Sequence, residues 1–163
     1  MRRLVIGLGS NLGDRAATLA AACDQVARAD GLALVARSSL WETSPVGGPP
    51  QPDYLNAAAL LVGALAPRVV LERLLAVEAA LGRVRSVRDA PRTIDLDLLW
   101  IDGEVVSEPD LLVPHPRLGE RAFALAPLLE VAPDARDPRT GEPLAACLAA
   151  LGLAGVRRVG PFV

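Results

Sequence analysis

Strand-type and helix-type apolar runs alternate along this chain up to Gly103, and their order restricts the fold more than any other feature. Residues 4–8, LVIGL, form a short apolar run stopped by Gly9, Ser10 and Asn11, which predicts a buried strand. From Asp14 to about Ala29 the spacing of Leu19, Ala22, Cys23 and Val26 is helical, with Asp14 placed to cap the first turn. LALVARSSLWET (32–43) predicts a second strand and YLNAAALLVGAL (54–65) a third; the Gly- and Pro-rich loop between them, SPVGGPPQPD, excludes regular structure. Between Pro67 and Leu81 the positions of Val70, Leu71, Leu74, Leu75 and Val77 are again helical, with proline in the first turn and Gly82 at the end. PRTIDLDLLWIDG (91–103) predicts the fourth strand. The sum is βαββαβ, the ferredoxin-like α+β arrangement in which two helices cover one face of an antiparallel sheet. Asp102-Gly103 predicts a tight hairpin into EVVS, and a helix near 143–151 and a basic strand near 156–160 complete the C-terminal additions. With no internal repeat, linker or low-complexity tract, residues 1–163 are expected to form a single domain.

Composition narrows the function. Hydrophobic residues make up 52% of the chain, and mean hydropathy is +0.34. The apolar stretches are nevertheless short: Ala57–Val62 falls far below the ~20 residues of a spanning helix. The start, MRRLVIGLGSNLGDR, has too brief an apolar run for a secretory leader, so a cytoplasmic protein without membrane partners is expected. Cys23 and Cys147 lie far apart in helical segments, without metal-ligand spacing, and read as buried small hydrophobes. A net charge of −2 argues against a polyanion-binding surface. All 17 basic residues are arginine, so phosphate chemistry here must rely on guanidinium forks and metal rather than on a P-loop lysine or a Schiff base.

The fourth strand carries the sharpest chemical signal. Asp95 and Asp97 alternate onto one face, ~7 Å apart at the backbone, while Ile94, Leu96 and Leu98 take the other. Two such carboxylates repel unless a cation lies between them, and hard oxygen ligands beside phosphates suit Mg²⁺. A solvated edge with two incidental acids is the competing interpretation. Just before the pair stands GRVRSVRDAPR, with Arg83, Arg85, Arg88 and Arg92. Alone it reads as a solvated loop; beside a divalent-cation site it reads as a polyphosphate clamp. GLGSNLGDR (7–15) fails the dinucleotide fingerprint, since Leu12 stands where a third glycine is needed, and reads either as a turn that brings backbone N–H groups near a ligand or as a plain strand-to-helix turn. His115, the sole histidine, sits between two prolines and cannot form a zinc site alone; it either donates to a phosphate or is solvated. Tyr54 and Phe123, read as loop residues flanking the sheet, either belong to the core or sandwich a flat heterocycle, to which Asn56 would present an amide edge.

Taken together, GLGSNLGDR, QPDYLNAA, GRVR followed by PRTIDLDLL, and VPHPRLGERAF resemble the 6-hydroxymethyl-7,8-dihydropterin pyrophosphokinase family over residues 4 to 134. The resemblance implies the ferredoxin-like fold, ATP as co-substrate with two Mg²⁺ ions, and transfer of the β,γ-pyrophosphoryl group to the pterin hydroxymethyl with AMP leaving. By matching position, Asp95 and Asp97 would hold the metals, and Asp97 is the nearest carboxylate able to act as base. Arg83 and Arg92 would meet the transferred phosphates, and Arg85, Arg88, His115 and Arg121 would surround the nucleotide, with Glu78 in support. Tyr54 and Phe123 would sandwich the pterin, and Asn56 with Thr43, Ser44, Pro45 and Val46 would read its edge. Two departures from the family pattern are Asp89-Ala90 in the arginine loop and Leu75, an apolar residue at a polar helix position. On physics alone, a palm-like Mg²⁺-dependent nucleotidyltransferase competes, releasing pyrophosphate rather than AMP. A nucleic-acid module of the same topology would need stacked sheet aromatics and a basic face, and this chain has neither. A monomer acting on small molecules is expected.

Overall fold

In the computed structural model, residues 1–44, 50–82 and 94–162 are described. The elements are β1 (Arg2–Ser10), α1 (Arg15–Ala27), β2 (Leu32–Arg37), β3 (Ser39–Thr43), β4 (Tyr54–Gly63), α2 (Pro67–Ala80), β5 (Asp95–Ile101), β6 (Val106–Glu108), β7 (Leu111–Val113), α3 (Ala122–Val131), α4 (Leu144–Leu151) and β8 (Val156–Pro161). The main sheet runs β5-β1-β4-β3-β8, with β2 also pairing β4, and every pair is antiparallel.

The expected second strand is divided at Ser38. The register of β2 against β4 shifts between Leu34 and Ala36. The buried Ser38 hydroxyl accepts from Ala58 N–H at 2.8 Å and donates to Ser39 O at 2.7 Å. A side chain thus takes over a ladder bond where the strand kinks. A second irregularity lies between β1 and β5, where Ile6 pairs Leu98 but Val5 pairs Trp100, so Leu99 is extra. Strict alternation would put Trp100 on the face of Leu96 and Leu98. The bulge turns it to the opposite face, where its Nε1 donates to Arg136 O at 2.8 Å.

Each face of the sheet has its own core. Leu4, Ile6, Leu8, Leu61, Leu96 and Leu98 pack with Leu19, Cys23 and Val26 of α1 and Val70, Leu74 and Val77 of α2. These are the two helices expected on one face. Val5, Ala58, Leu60, Leu99 and Trp100 pack on the other side with Leu125, Leu128 and Val131 of α3 and Leu144 of α4. Ala122–Val131, for which the sequence analysis names no element, carries Pro127 inside it. The helix forms nonetheless, buried on Leu125, Ala126, Pro127 and Leu128. The Asp102-Gly103 turn forms, with Gly103 at φ +71°. The hairpin closes with one antiparallel bridge, Ile101 to Glu104, and goes no further: β6 then pairs with β7 in a separate two-stranded sheet. Cys23 is buried as expected, whereas Cys147, on the outer helix α4, is only half-buried.

The outer edge of β5 is occupied by side chains and loop. Glu78, 2% exposed on α2, accepts from Leu96 N–H at 2.8 Å, and His115 N–H donates to Leu99 O at 3.0 Å. We expect Glu78→Leu to leave the Leu96 amide unsatisfied and cost about 1–3 kcal/mol. Trp100→Ala, which empties a fully buried site, should cost about 3–5 kcal/mol. Denaturant unfolding checks both.

Candidate active site

Register places the chemically distinctive residues in rows across one face. Asp95 pairs with Gly9, Gly9 with Asn56, and Asn56 with Trp41. Asp97 pairs with Gly7, and Thr43 with Tyr54. Directly paired residues point to the same face, so Asp95, Asp97, Asn56, Tyr54, Thr43 and Trp41 share it. Toward the other end of that face Val5, Ala58, Leu60 and Leu99 are buried in the α3 core, while Asp95, Asp97 and Tyr54 stay partly exposed. The expected shared face for the two aspartates, with Ile94, Leu96 and Leu98 in the opposite core, is found.

The glycines that read as a turn lie instead in the central strand. Gly7 and Gly9 belong to β1, and only Gly13, at φ +67°, shapes the turn that follows. A Cβ at Gly9 would stand 2.9 Å from Asn56 Oδ1 and 3.7 Å from a Tyr54 ring carbon. Two strand spacings, about 10 Å, separate Asp95 from Asn56 across this bare backbone. A side chain at position 9 would therefore collide with the Asn56 amide and approach the Tyr54 ring, both of which border this stretch of backbone. A tight-turn signal and a bare-strand signal look alike in sequence; pairing on both sides of β1 distinguishes them.

Asn56 is 8% exposed, and its Nδ2 donates to Thr43 Oγ1 at 2.8 Å, which orients Oδ1 toward Gly9. Thr43 and Asn56 are thus brought together as expected, with exposed Ser44 following. Tyr54 opens β4 and Phe123 lies in the first turn of α3, so both occupy element starts rather than loops. The Arg121 guanidinium stands 5.6 Å from the Phe123 ring centroid. Two turns further along α3, Glu130 accepts from Ser39 N–H (3.1 Å), Ser39 Oγ–H (2.8 Å) and Trp41 Nε1–H (2.5 Å). This carboxylate ties α3, and with it Phe123, to the strand that carries Thr43.

Beside the face, at the open edge of β5, lies a cavity of about 280 Å³ lined by Leu71 of α2, Leu98, Leu111, Leu112, Asp97 and His115. Asp97 therefore borders both the sheet face and the edge cleft. The apolar lining went unrecognised in the sequence because Leu71 and Leu98 carry the same spacing signal as core residues. His115 Nδ1 accepts from Arg117 N–H at 3.2 Å, which leaves Nε2 as the donor of the neutral ring. Burial, then the positive charge of Arg121, holds His115 below the ordinary imidazole range; Asp95 opposes this and Arg117 reinforces it. Glu78 is turned inward to Leu96 N–H, and Leu75 is exposed on the outer side of α2. Arg83, Arg85, Arg88, Arg92, Pro45, Val46 and the Asp89-Ala90 departure lie outside the described residues.

The donor set suits a hard divalent cation. Asp95 and Asp97 offer carboxylate oxygens from a paired strand, both partly exposed, with a backbone glycine opposite each. Among the described residues no group of three or more metal-ligating side chains forms, so the protein would supply two carboxylates and substrate or water the rest. That division matches a cation shared with phosphates rather than a structural ion.

Comparison with known proteins places the chain in a family. Residues 5–133 match the family described as 7,8-dihydro-6-hydroxymethylpterin-pyrophosphokinase (HPPK). A Methylorubrum extorquens protein named 2-amino-4-hydroxy-6-hydroxymethyldihydropteridine pyrophosphokinase is 46% identical, covering 98% of this chain and 99% of the relative. A Pseudomonas aeruginosa protein of the same name is 40% identical, covering 98% of each. Among solved structures, a Plasmodium falciparum HPPK-DHPS chain superposes with a TM-score of 0.74 at 12% identity, over 96% of this chain and 47% of that one. The chain thus spans about half the length of such two-part proteins, and at that identity the likeness is one of fold. With the match covering most of its length, and the paired aspartates, glycine floor and Asn56 set as described, the chain belongs to the 7,8-dihydro-6-hydroxymethylpterin-pyrophosphokinase family.

Proposed function

We propose that residues 1–163 act as one unit, a pyrophosphokinase that transfers the β,γ-pyrophosphoryl group of ATP to the hydroxyl of 6-hydroxymethyl-7,8-dihydropterin, releasing AMP, in folate biosynthesis. The observation that carries this reading is the position of Asp95 and Asp97 between two dissimilar subsites. On one side lies the glycine-floored face with Asn56 and Tyr54; on the other lies the apolar edge cleft reached past Asp97 and His115. A reaction that moves a pyrophosphoryl group from one flat heterocyclic substrate to another needs this layout.

In this reading the pterin lies over Gly9, with Tyr54 and Phe123 about its rings and Asn56, Thr43, Ser44, Pro45 and Val46 at its edge. The adenosine occupies the cleft of Leu71, Leu98, Leu111 and Leu112. His115 and Arg121 meet the phosphates from the described side, and Arg83, Arg85, Arg88 and Arg92 from the arginine loop. Glu78 supports the nucleotide side by holding β5 in place. Asp95 and Asp97 would hold Mg²⁺, two ions in this reading, whose charge offsets that of the triphosphate and of the carboxylates.

The pterin hydroxyl oxygen attacks the β-phosphorus in line, the bond from that phosphorus to the α,β-bridging oxygen breaks, and AMP leaves with the electron pair. Asp97, the carboxylate common to both subsites, is placed to take the hydroxyl proton. Neutral His115 gives a hydrogen bond through Nε2 without adding a proton that could be lost to water. The enzyme works as a cytoplasmic monomer on these two small molecules. Among the described residues no helix is long and apolar enough to cross a membrane.

Incubation with Mg-ATP, with and without the pterin, tests the reading through the nucleotide product. Pterin-dependent AMP is expected, falling by about 10²-fold or more in Asp95→Ala and Asp97→Ala; free pyrophosphate would instead indicate nucleotidyl transfer. Gly9→Val should raise the pterin KM while leaving the ATP KM near the wild-type value, because the added side chain meets Asn56 and Tyr54.

The pH dependence of stability follows from His115. Its folded-state pKa lies below the unfolded value of about 6.5, so the unfolded chain binds the extra proton first and stability falls as pH drops through that value. Thermal unfolding of wild type between pH 7.5 and pH 5.5 should therefore show a steeper loss than that of His115→Gln.

A further inference from the structure

The motif GLGSNLGDR has so far contributed only its two strand glycines. Its second half reaches a different part of the site. Pro50 and Pro52 carry no N–H, so the segment entering β4 cannot be held by a full ladder of its own. Side chains just after the end of β1 and at the start of α1 hold it instead, by donating to its oxygens. Asn11, 1% exposed, donates from Nδ2 to Gln51 Oε1 at 2.7 Å and to Pro52 O at 3.1 Å. Arg15 donates from Nη1 to the next carbonyl, Asp53 O, at 2.9 Å.

Arg15 also reaches the other side of the loop. Its Nη2 donates to Glu42 Oε2 at 2.9 Å, and Glu42 is the residue before Thr43 on β3. One guanidinium therefore bridges the stem that leads away from Thr43 and the stem that leads into Tyr54. The bridge lies on the sheet face opposite their side chains, since Glu42 alternates with Thr43. The guanidinium is itself held: Asp14 Oδ1 accepts from Ala17 N–H at 3.1 Å, capping the helix on whose first residue Arg15 stands. Arg157 of β8 makes a second ion pair with Glu42 but is not among the donors to Asp53 O.

We propose that Arg15 is a positioning residue for the pterin side of the reaction, acting through the backbone. By joining Glu42 to Asp53 O it holds the terminal pair Thr43 and Tyr54 in register, and so keeps Tyr54 and the Thr43–Asn56 hydrogen bond at the spacing the heterocycle requires. A planar fork with donors in fixed directions can span two acceptors in this way, whereas a lysine ammonium would serve one of them. The inference rests on the assignment of Tyr54, Asn56 and Thr43 to the pterin.

The experiment is a comparison of full-length wild type, Arg15→Met, Arg15→Lys and Arg157→Met, measured by AMP formation with each substrate varied in turn, alongside thermal unfolding. Arg15→Met is expected to raise the pterin KM about tenfold, with kcat and the ATP KM within about twofold, and Arg15→Lys should fall between it and wild type. Arg157→Met, which removes charge from Glu42 but leaves the bridge, should change the pterin KM by less than about twofold. In the double variant Arg15→Met with Glu42→Gln, the two effects should combine to less than their product. A cooperatively folded Arg15→Met with an unchanged pterin KM would overturn the proposal, as would equal increases in both KM values, which indicate general loosening. Absence of pterin-dependent AMP from wild type would instead overturn the functional reading and this proposal with it.

Discussion

Pairing of β1 on both sides is the constraint from which the rest of the architecture follows. Its backbone is bonded to β4 on one edge and β5 on the other, and Leu4, Val5 and Ile6 are fully buried. Leu4, Ile6 and Leu8 anchor one core; Val5 anchors the other, and after it Gly7 lies under the Leu99 side chain and Gly9 beside Asn56 and Tyr54. One strand thus contributes a core on both faces and the floor of the candidate site. Because its register is set by the apolar alternation, a slip of one residue would exchange glycine for leucine beneath the ligand.

The carboxylates depend on that register. Asp95 and Asp97 sit at the partly exposed end of β5, paired with Gly9 and Gly7; two residues on, Leu99 enters a closed core. Polar chemistry and apolar packing share a strand only because the face is covered along part of its length. The outer edge of β5 is held by Glu78 and by the His115 loop, so the strand bearing the acids is fixed on both sides. Rigid placement of this kind favours electrostatic preorganisation, because the groups need not reorganise as charge moves.

Much of this was legible in the residues. The helices at 15–27 and 67–80 follow from 3.6-residue spacing with a capping aspartate and an N-terminal proline, both local signals. The facing of Asp95 and Asp97 follows from the period of two. Other features were not legible because they arise from contact between distant segments. The kink at Ser38 depends on Ala58, the turn of Trp100 on an extra residue measured against β1, and α3 on a face that only the sheet creates. The edge cleft was missed since Leu71, Leu98 and Leu111 carry no mark separating a leucine that lines a cavity from one sealed in the core.

What the sequence by itself determined was the βαββαβ order of the first part of the chain and the chemistry available: paired acids, an arginine-only basic complement, one histidine and a few aromatics. These are properties of single residues and short spacings, and local sterics and hydropathy suffice to express them. Tertiary structure alone decided which residues face one another. Gly9 between Asp95 and Asn56, Glu130 beneath Trp41, and Arg15 spanning Glu42 and Asp53 are long-range juxtapositions. They exist because strand pairing and two-sided core packing bring separated segments within hydrogen-bond distance, which no local pattern encodes.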